Sequence, residues 1–303
     1  MKILEEKYPL GSLKGQKTDG KYVNEVLFEN IKILAKNIVR VMTYLIIITS
    51  STLEVGAGKS VFAQQFSEAY LESIRQQHNI DNKLSMQNII FKPKDLIERA
   101  FKVPKYSVII VDEWEDYHYW SELGISLRQF FRKCRQLNLC IVLIIPNFFQ
   151  LPMGYAISRS VALVDVKYAG EFDRGYFSFY NFQKKKELYV KGKKTQNYNV
   201  VSPNFTGRFT DGYVVNEEEY RTAKLNDLEE QESKGKPLTK IQIETQIKGK
   251  LFKQLMKKLP EIPVKRLADA FGVSIRATQR WRAGDTSDYE GDDGASDIIN
   301  YPN

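Results

Sequence analysis

The chain has 303 residues, 43% of them apolar, enough to bury a substantial core and to suggest one large domain with a smaller one attached. A formal net charge of +8 points to an acidic partner, with nucleic acid or an anionic surface the usual candidates. The only cysteines, Cys134 and Cys140, fall in segments that read as a helix and a buried strand. That excludes a disulfide scaffold and suits a reducing cytoplasm. His78 and His118 stand far apart with no cysteine cluster near them, which excludes a zinc site.

Met1 to Lys21 lacks the apolar core of a signal peptide, and the opening segment, 1–37, reads as an extended arm with a helix from about Glu25 to Asn37. The apolar stretch from Ile38 to Thr49 is interrupted by Arg40 and Thr43 and is too short to span a bilayer, so stable membrane insertion is not expected. Within it, Tyr44 to Ile48 is the continuous apolar run of a central parallel strand covered on both faces.

Next comes Thr52-Leu-Glu-Val-Gly56-Ala-Gly58-Lys59-Ser60, between that strand and the helical stripe of Ser60 to Gln77. This is the setting and composition of a phosphate-cradling P-loop. Glycines let backbone N–H groups from Val55 through Gly56, Ala57, Gly58, Lys59 and Ser60 to Val61 curl around phosphate oxygens, and the positive helix end faces them. Lys59 would reach the β- and γ-phosphates of ATP, and the Ser60 hydroxyl would bind Mg²⁺. Leu53 stands where the usual spacing has a glycine.

The alternation continues with a strand at Asn88–Phe91, a helix at Lys94–Phe101 and a strand at Ser107–Val111 that ends in Asp112-Glu113. One βα unit after a P-loop, such a pair supplies a metal-holding aspartate and a water-activating glutamate. Trp114, Tyr117, Tyr119 and Trp120 read as packing over this site or at a subunit contact. A helix over Ser121–Leu137 would set Arg128, Arg132 and Arg135 on one face, either solvated or reaching a neighbouring subunit's γ-phosphate; Arg159 is the other candidate for that finger. The apolar strand Cys140–Ile145 ends at Asn147, placed either to sense the γ-phosphate or to start a turn.

Beyond Pro152, Val161–Tyr168, Tyr176–Phe182 and Lys186–Val190 alternate and read as added antiparallel strands. Glu217–Lys240 reads as a helix followed by an exposed linker, 226–245. The region 246–283 has a helix-turn-helix shape. Ala268 is small where helices cross, Gly272 suits a positive φ, Ser274 suits a cap, and Leu267, Phe271, Val273 and Trp281 supply a core. Lys265, Arg266, Arg276, Gln279 and Arg280 would then meet DNA. Lys248–Arg282 holds ten basic and two acidic residues, so the net positive charge of the whole chain is concentrated there. The tail 284–303 has six acids, no base and several Gly and Ser, the composition of a segment that stays unfolded.

The P-loop strand, the Asp-Glu strand, the helix carrying Phe131-Arg-Lys-Cys-Arg-Gln-Leu-Asn138 and the strand ending Pro146-Asn147 resemble the FtsK/HerA ATPases. They are more similar still to the zonular-occludens-toxin-like ATPases of phages and mobile elements. Pro203–Tyr213 and Glu217–Tyr220 resemble the end of such domains. The resemblance covers roughly residues 40–225 and implies a RecA-like core; with the residue readings above, the expected architecture is an α/β P-loop NTPase at 38–225, with a mainly parallel central sheet flanked by helices and added antiparallel strands, and the small all-α helix-turn-helix domain beyond. The resemblance also implies ring assembly, often hexameric, and work on DNA. Lys59 and Ser60 are then assigned to phosphate and Mg²⁺, Glu113 to water activation, Asn147 to sensing and Arg135 to the interface. The expected activity is a DNA-stimulated ATPase of packaging or transfer type, with other viral or mobile-element proteins as further partners. The alternative is a non-motor DNA-binding regulator that uses ATP as an assembly switch.

Overall fold

Residues 1–8, 18–40, 42–52, 56–112, 122–169, 173–233 and 263–282 are described in the computed structural model of the chain, which divides into two compact units, Met1–Asp227 and Leu228–Asn303. At the start, β1 (Lys2–Ile3) is followed by the short helix α1 (Leu4–Lys7) and pairs in parallel with β2 (Tyr22–Val23). Helix α2 (Glu25–Val39) begins at Asn24, whose side chain accepts the Leu27 N–H. Its Leu27, Phe28, Ile31, Ala35 and Ile38 recur at helical spacing and are buried in the main core. So α2 is a layer of the first unit rather than part of a detached arm.

The main sheet is built from β3 (Tyr44–Thr49), β4 (Ile89–Ile90), β5 (Val108–Val111), β6 (Cys140–Ile144), β7 (Ser160–Ala169), β8 (Asp173–Tyr180) and β9 (Phe205–Arg208). Between them run α3 (Lys59–His78), α4 (Leu96–Lys102), α5 (Glu122–Lys133) and α6 (Phe182–Gly192), and α7 (Glu217–Ser233) follows. Among the described residues the strand order is β4-β5-β6-β3-β7-β8-β9. Neighbours from β4 to β7 are parallel, whereas β8 and β9 are antiparallel additions. The loop-bearing strand β3 is thus separated from the acidic strand β5 by β6. This is the RecA-like P-loop arrangement, a mostly parallel sheet flanked by helices.

The strand period of two divides the core into two faces. Ile46 and Ile48 of β3 join Val108, Ile110, Val142 and Val164 beneath α2 and α3. Leu45 and Ile47 join Ile109, Val111, Ile141, Leu143 and Leu163 beneath α4, α5 and α6. Every one of these residues is buried, which explains why the parallel strands read as uninterrupted apolar runs.

Three expectations need correction. The strand at Val161–Tyr168 is present as β7, but it runs parallel to β3, with Ile46 opposite Ala162 and Ile48 opposite Val164. Lys186–Val190 is not a strand and lies inside α6. Asn181 caps that helix by accepting the Lys184 N–H, Lys185, Leu188 and Tyr189 form its buried stripe, and Lys191 pairs with Glu187 one turn away. The arginine helix ends at Lys133, and Arg135 sits on a 3₁₀ turn, Cys134–Leu137, closed by Asn138 in the left-handed conformation at φ 54°. Continuous helical spacing therefore does not extend through Arg135.

In the second unit, helices Val264–Phe271 and Ile275–Arg282 flank Gly272, which adopts φ 60° and donates to the Asp269 carbonyl. Leu267, Ala268 and Thr278 are buried. The preceding stretch to 262, most of the expected linker, the acidic tail and the Trp281 side chain lie outside the described residues.

Candidate nucleotide and cation site

Strand β3 delivers the chain to the site through buried Thr49 and Ser50. Beyond it, the Ser51 N–H donates to Asp165 Oδ1 at 2.7 Å. Asp165 lies on β7 opposite Thr49 and is 2% exposed. Burial pushes its carboxyl up to about 6, although hydrogen bonds from Ser51 pull the other way. The entry to the loop is therefore pinned by the neighbouring strand. Gly56 and Gly58 have φ of 92° and 94°, conformations that side chains rarely adopt. At Gly58 an added Cβ would also lie 3.1 Å from the Phe209 ring. Gly58 caps α3 with no side-chain hydrogen bond, Ala57 is buried and Val61 is 7% exposed. The positive end of α3 thus begins where the glycine loop closes, the geometry that suits a phosphate. Leu53 and Val55 lie outside the described residues.

Asp112 directly follows β5, its N–H bonded to the Ile90 carbonyl at 2.8 Å, and it is 1% exposed. Its Oδ1 accepts the Ser60 hydroxyl at 3.2 Å, across 52 positions of sequence. Two adjacent oxygen ligands of an octahedral Mg²⁺ at 2.0–2.1 Å stand about 3 Å apart, so this pair fits such an ion completed by phosphate and water. Among the described residues no cluster of three His, Cys, Asp or Glu side chains could hold a metal ion. Glu113 and the aromatics Trp114, Tyr117, Tyr119 and Trp120 lie outside the described residues.

The other Asp112 oxygen faces α7. Oδ2 accepts the Tyr220 hydroxyl, and the Lys224 ammonium stands 3.8 Å away. Burial and the Asp112 charge hold the phenol above its ordinary value, so it remains a proton donor. The chain reaches α7 by crossing α3, where two buried glutamines hold it. Gln65 Nε2 donates to the carbonyls of Thr210 and Gly212 at 2.7 and 2.8 Å, and Gln64 Oε1 accepts the Val214 N–H at 3.1 Å. Phe209 is set edge-on to Phe62 by this crossing, which places it over Gly58.

Asp165, Gln64, Gln65, Phe209, Tyr220 and Lys224 were not singled out from sequence. The adjacent glutamines inside an otherwise core-facing helix were a readable signal, because buried amides need partners. Tyr220 lies 108 positions from Asp112, and no local pattern joins them.

Asn147 follows β6, which lies between β3, the strand leading into the loop before Ser60, and β5, the strand leading to Asp112. Its Oδ1 accepts the Phe149 N–H at 2.9 Å and caps the 3₁₀ turn Phe148–Gln150, while Nδ2 donates to Gln196 at 2.7 Å. It does start a turn. Arg135 and Arg159 are exposed. Arg159 directly precedes β7, and the Cys134 carbonyl beside Arg135 accepts the Thr43 hydroxyl just ahead of β3. Both therefore lie where the parallel strands start, the opposite end from the phosphate loop. Arg128 is half-buried and Arg132 exposed.

In the second unit, Lys265, Arg266, Arg276 and Gln279 are exposed and Arg280 is partly exposed. Among the described residues no helix is long and apolar enough to cross a membrane.

No protein-family model matches the chain, and no curated protein does. Among solved structures, the chain is similar to the N-terminal domain of zonular occludens toxin from Neisseria meningitidis at 12% identity and a TM-score of 0.35, over 59% of this chain and 98% of that one. It is similar to the DnaC helicase loader at 19% identity and a TM-score of 0.25, over 39% of this chain and 67% of that one. The strand order and loop described above make the first unit a P-loop NTPase fold.

Proposed function

We propose that the chain is an ATPase that uses Mg²⁺ and works on DNA as a head-to-tail ring, in packaging or transfer of a viral or mobile-element genome. The observation that carries the nucleotide reading is the 3.2 Å contact between the Ser60 hydroxyl and Asp112, which joins the start of α3 to the end of β5. In this reading Lys59 and the amides from Gly56 to Val61 hold the phosphates, and Ser60 and Asp112 hold the cation. When bound, the cation supplies charge neutralisation for phosphoryl transfer to water. Glu113 orients and deprotonates that water, and Asn147 lends its remaining amide N–H to the γ-phosphate side. Arg135 or Arg159 serves a neighbouring subunit, because both stand at the far end of the strands from their own loop. The concentrated positive charge of 248–282 and the exposed Arg276 and Gln279 support DNA contact by the second unit.

ATP turnover with and without duplex DNA, in wild type and in Glu113→Gln, tests this. Glu113→Gln is expected to lower turnover by roughly 10²–10⁴-fold while binding of an ATP analogue persists. DNA should raise the wild-type rate. Absence of hydrolysis under all conditions refutes the enzyme. Slow turnover indifferent to DNA, with site-specific footprinting, would instead assign a regulator that uses nucleotide as a switch.

A further inference from the structure

Asp112 carries a carboxylate that is 1% exposed, and such a charge must be compensated where it sits. Its two oxygens are treated differently. Oδ1 faces the Ser60 hydroxyl, whereas Oδ2 receives the Tyr220 hydroxyl and lies 3.8 Å from Lys224 Nζ. Tyr220 and Lys224 stand one turn apart on α7, so a single helix face presents an uncharged donor and a cation to the same oxygen. That face is held from several sides. The Tyr220 ring packs against Phe91 at 5.8 Å and Tyr213 at 5.3 Å, and Lys92 pairs with Asp227 at 3.1 Å.

We propose that Tyr220 is a positioning residue for the cation-binding carboxylate and that Lys224 is the resident counter-charge an arriving divalent cation must outcompete. This rests on the nucleotide reading above and deepens it. The Tyr220 hydroxyl fixes the rotation of the Asp112 carboxyl, so that Oδ1 stays turned toward Ser60. Partners of this kind behind a metal ligand commonly govern affinity by 10- to 100-fold. Lys224 acts in the opposite sense. Its positive charge stabilises the metal-free carboxylate and repels a second cation, so losing it favours the metal. Two residues on one helix face therefore have opposite effects on one equilibrium, which simple loss of packing would not produce.

The test uses the full chain, Mn²⁺ as the probe and a non-hydrolysable ATP analogue, with free Mn²⁺ read by electron paramagnetic resonance. Tyr220→Phe, which keeps the ring and removes the hydroxyl, is expected to weaken Mn²⁺ binding by about 10-fold or more. Lys224→Met is expected to tighten it several-fold. Affinity for a fluorescent ATP analogue in excess chelator should change in neither variant. Unchanged Mn²⁺ binding in both variants, or weakening in both, overturns the proposal while leaving the nucleotide site intact. The Lys224 side chain is 28% exposed, so its variant decides the matter even if Tyr220→Phe does not fold. In that case anything but tighter binding overturns the proposal. A wild-type protein that binds neither analogue nor Mn²⁺ overturns the nucleotide reading itself.

Discussion

Asp165 shows how a single residue can serve the loop at a cost to the fold. Its carboxyl titrates near 6 because it is buried, so the ionised form is disfavoured in the folded chain. The full penalty is present above about pH 6 and is relieved as pH falls toward 4, where the unfolded chain protonates too. A rise of about two units corresponds to about 3 kcal/mol, less whatever the Ser51 hydrogen bond returns. Asp165→Asn should therefore be more stable than wild type at pH 8 by about 1–2 kcal/mol, with the advantage shrinking toward pH 4. Urea midpoints at the two pH values check this, and parallel curves would count against it. Gly58 gives a second prediction. Its φ of 94° and the Phe209 ring 3.1 Å from an added Cβ both oppose a side chain. Gly58→Ala should cost about 1–2 kcal/mol in stability and abolish binding of an ATP analogue, measured by fluorescence titration. Both the glycine and its Lys59-Ser60 neighbours were legible in sequence because the loop's chemistry is local. Asp165 was not, since nothing in Val164-Asp165-Val166 says which loop passes overhead.

Among elements, β3, α3, β5 and β6 could be read directly, because fully covered parallel strands leave long apolar runs and α3 leaves a helical stripe. Helix α6 could not. Its Phe182, Tyr189 and Val190 imitate an aromatic strand, and only the Asn181 cap and the buried Lys185 reveal the helix. β9 was missed because Phe205–Arg208 mixes exposed and buried positions at the sheet edge. The α6 error also concealed a connection. Lys185 is fully buried and donates to the carbonyls of Ala156 and Ile157, inside the π-helical turn Gly154–Arg159. Burial pushes its ammonium down to about 7, so the charged form costs stability below that pH. The cost is relieved as pH rises from about 7 toward 10, where the unfolded chain also loses its proton. Lys185→Met should abolish that alkaline gain in stability. It should also speed amide hydrogen exchange at Ile157–Ser160, which mass spectrometry reads, because the turn carrying Arg159 loses its anchor.

For the whole molecule, charge is divided by region. The basic excess of 248–282 sits apart in sequence from the nucleotide fold, so weakening it should change DNA affinity and leave nucleotide affinity alone. Arg276→Ala should lower duplex affinity and reduce the slope of log affinity against log salt by about 1, with unchanged affinity for an ATP analogue. Had the basic residues merely solvated the surface, the salt slope would not move.

The phosphate loop and the arginines at 135 and 159 occupy opposite ends of the same strands, and this polarity has a kinetic consequence. In the head-to-tail ring proposed above, each subunit gives an arginine to one neighbour and receives one from another. In an open chain of subunits the last one always lacks a donor. Specific activity should then climb with protein concentration and level off once the chain closes on itself. Subunits carrying both Arg135→Ala and Arg159→Ala would silence a neighbour's loop while their own, served by a wild-type donor, still turned over.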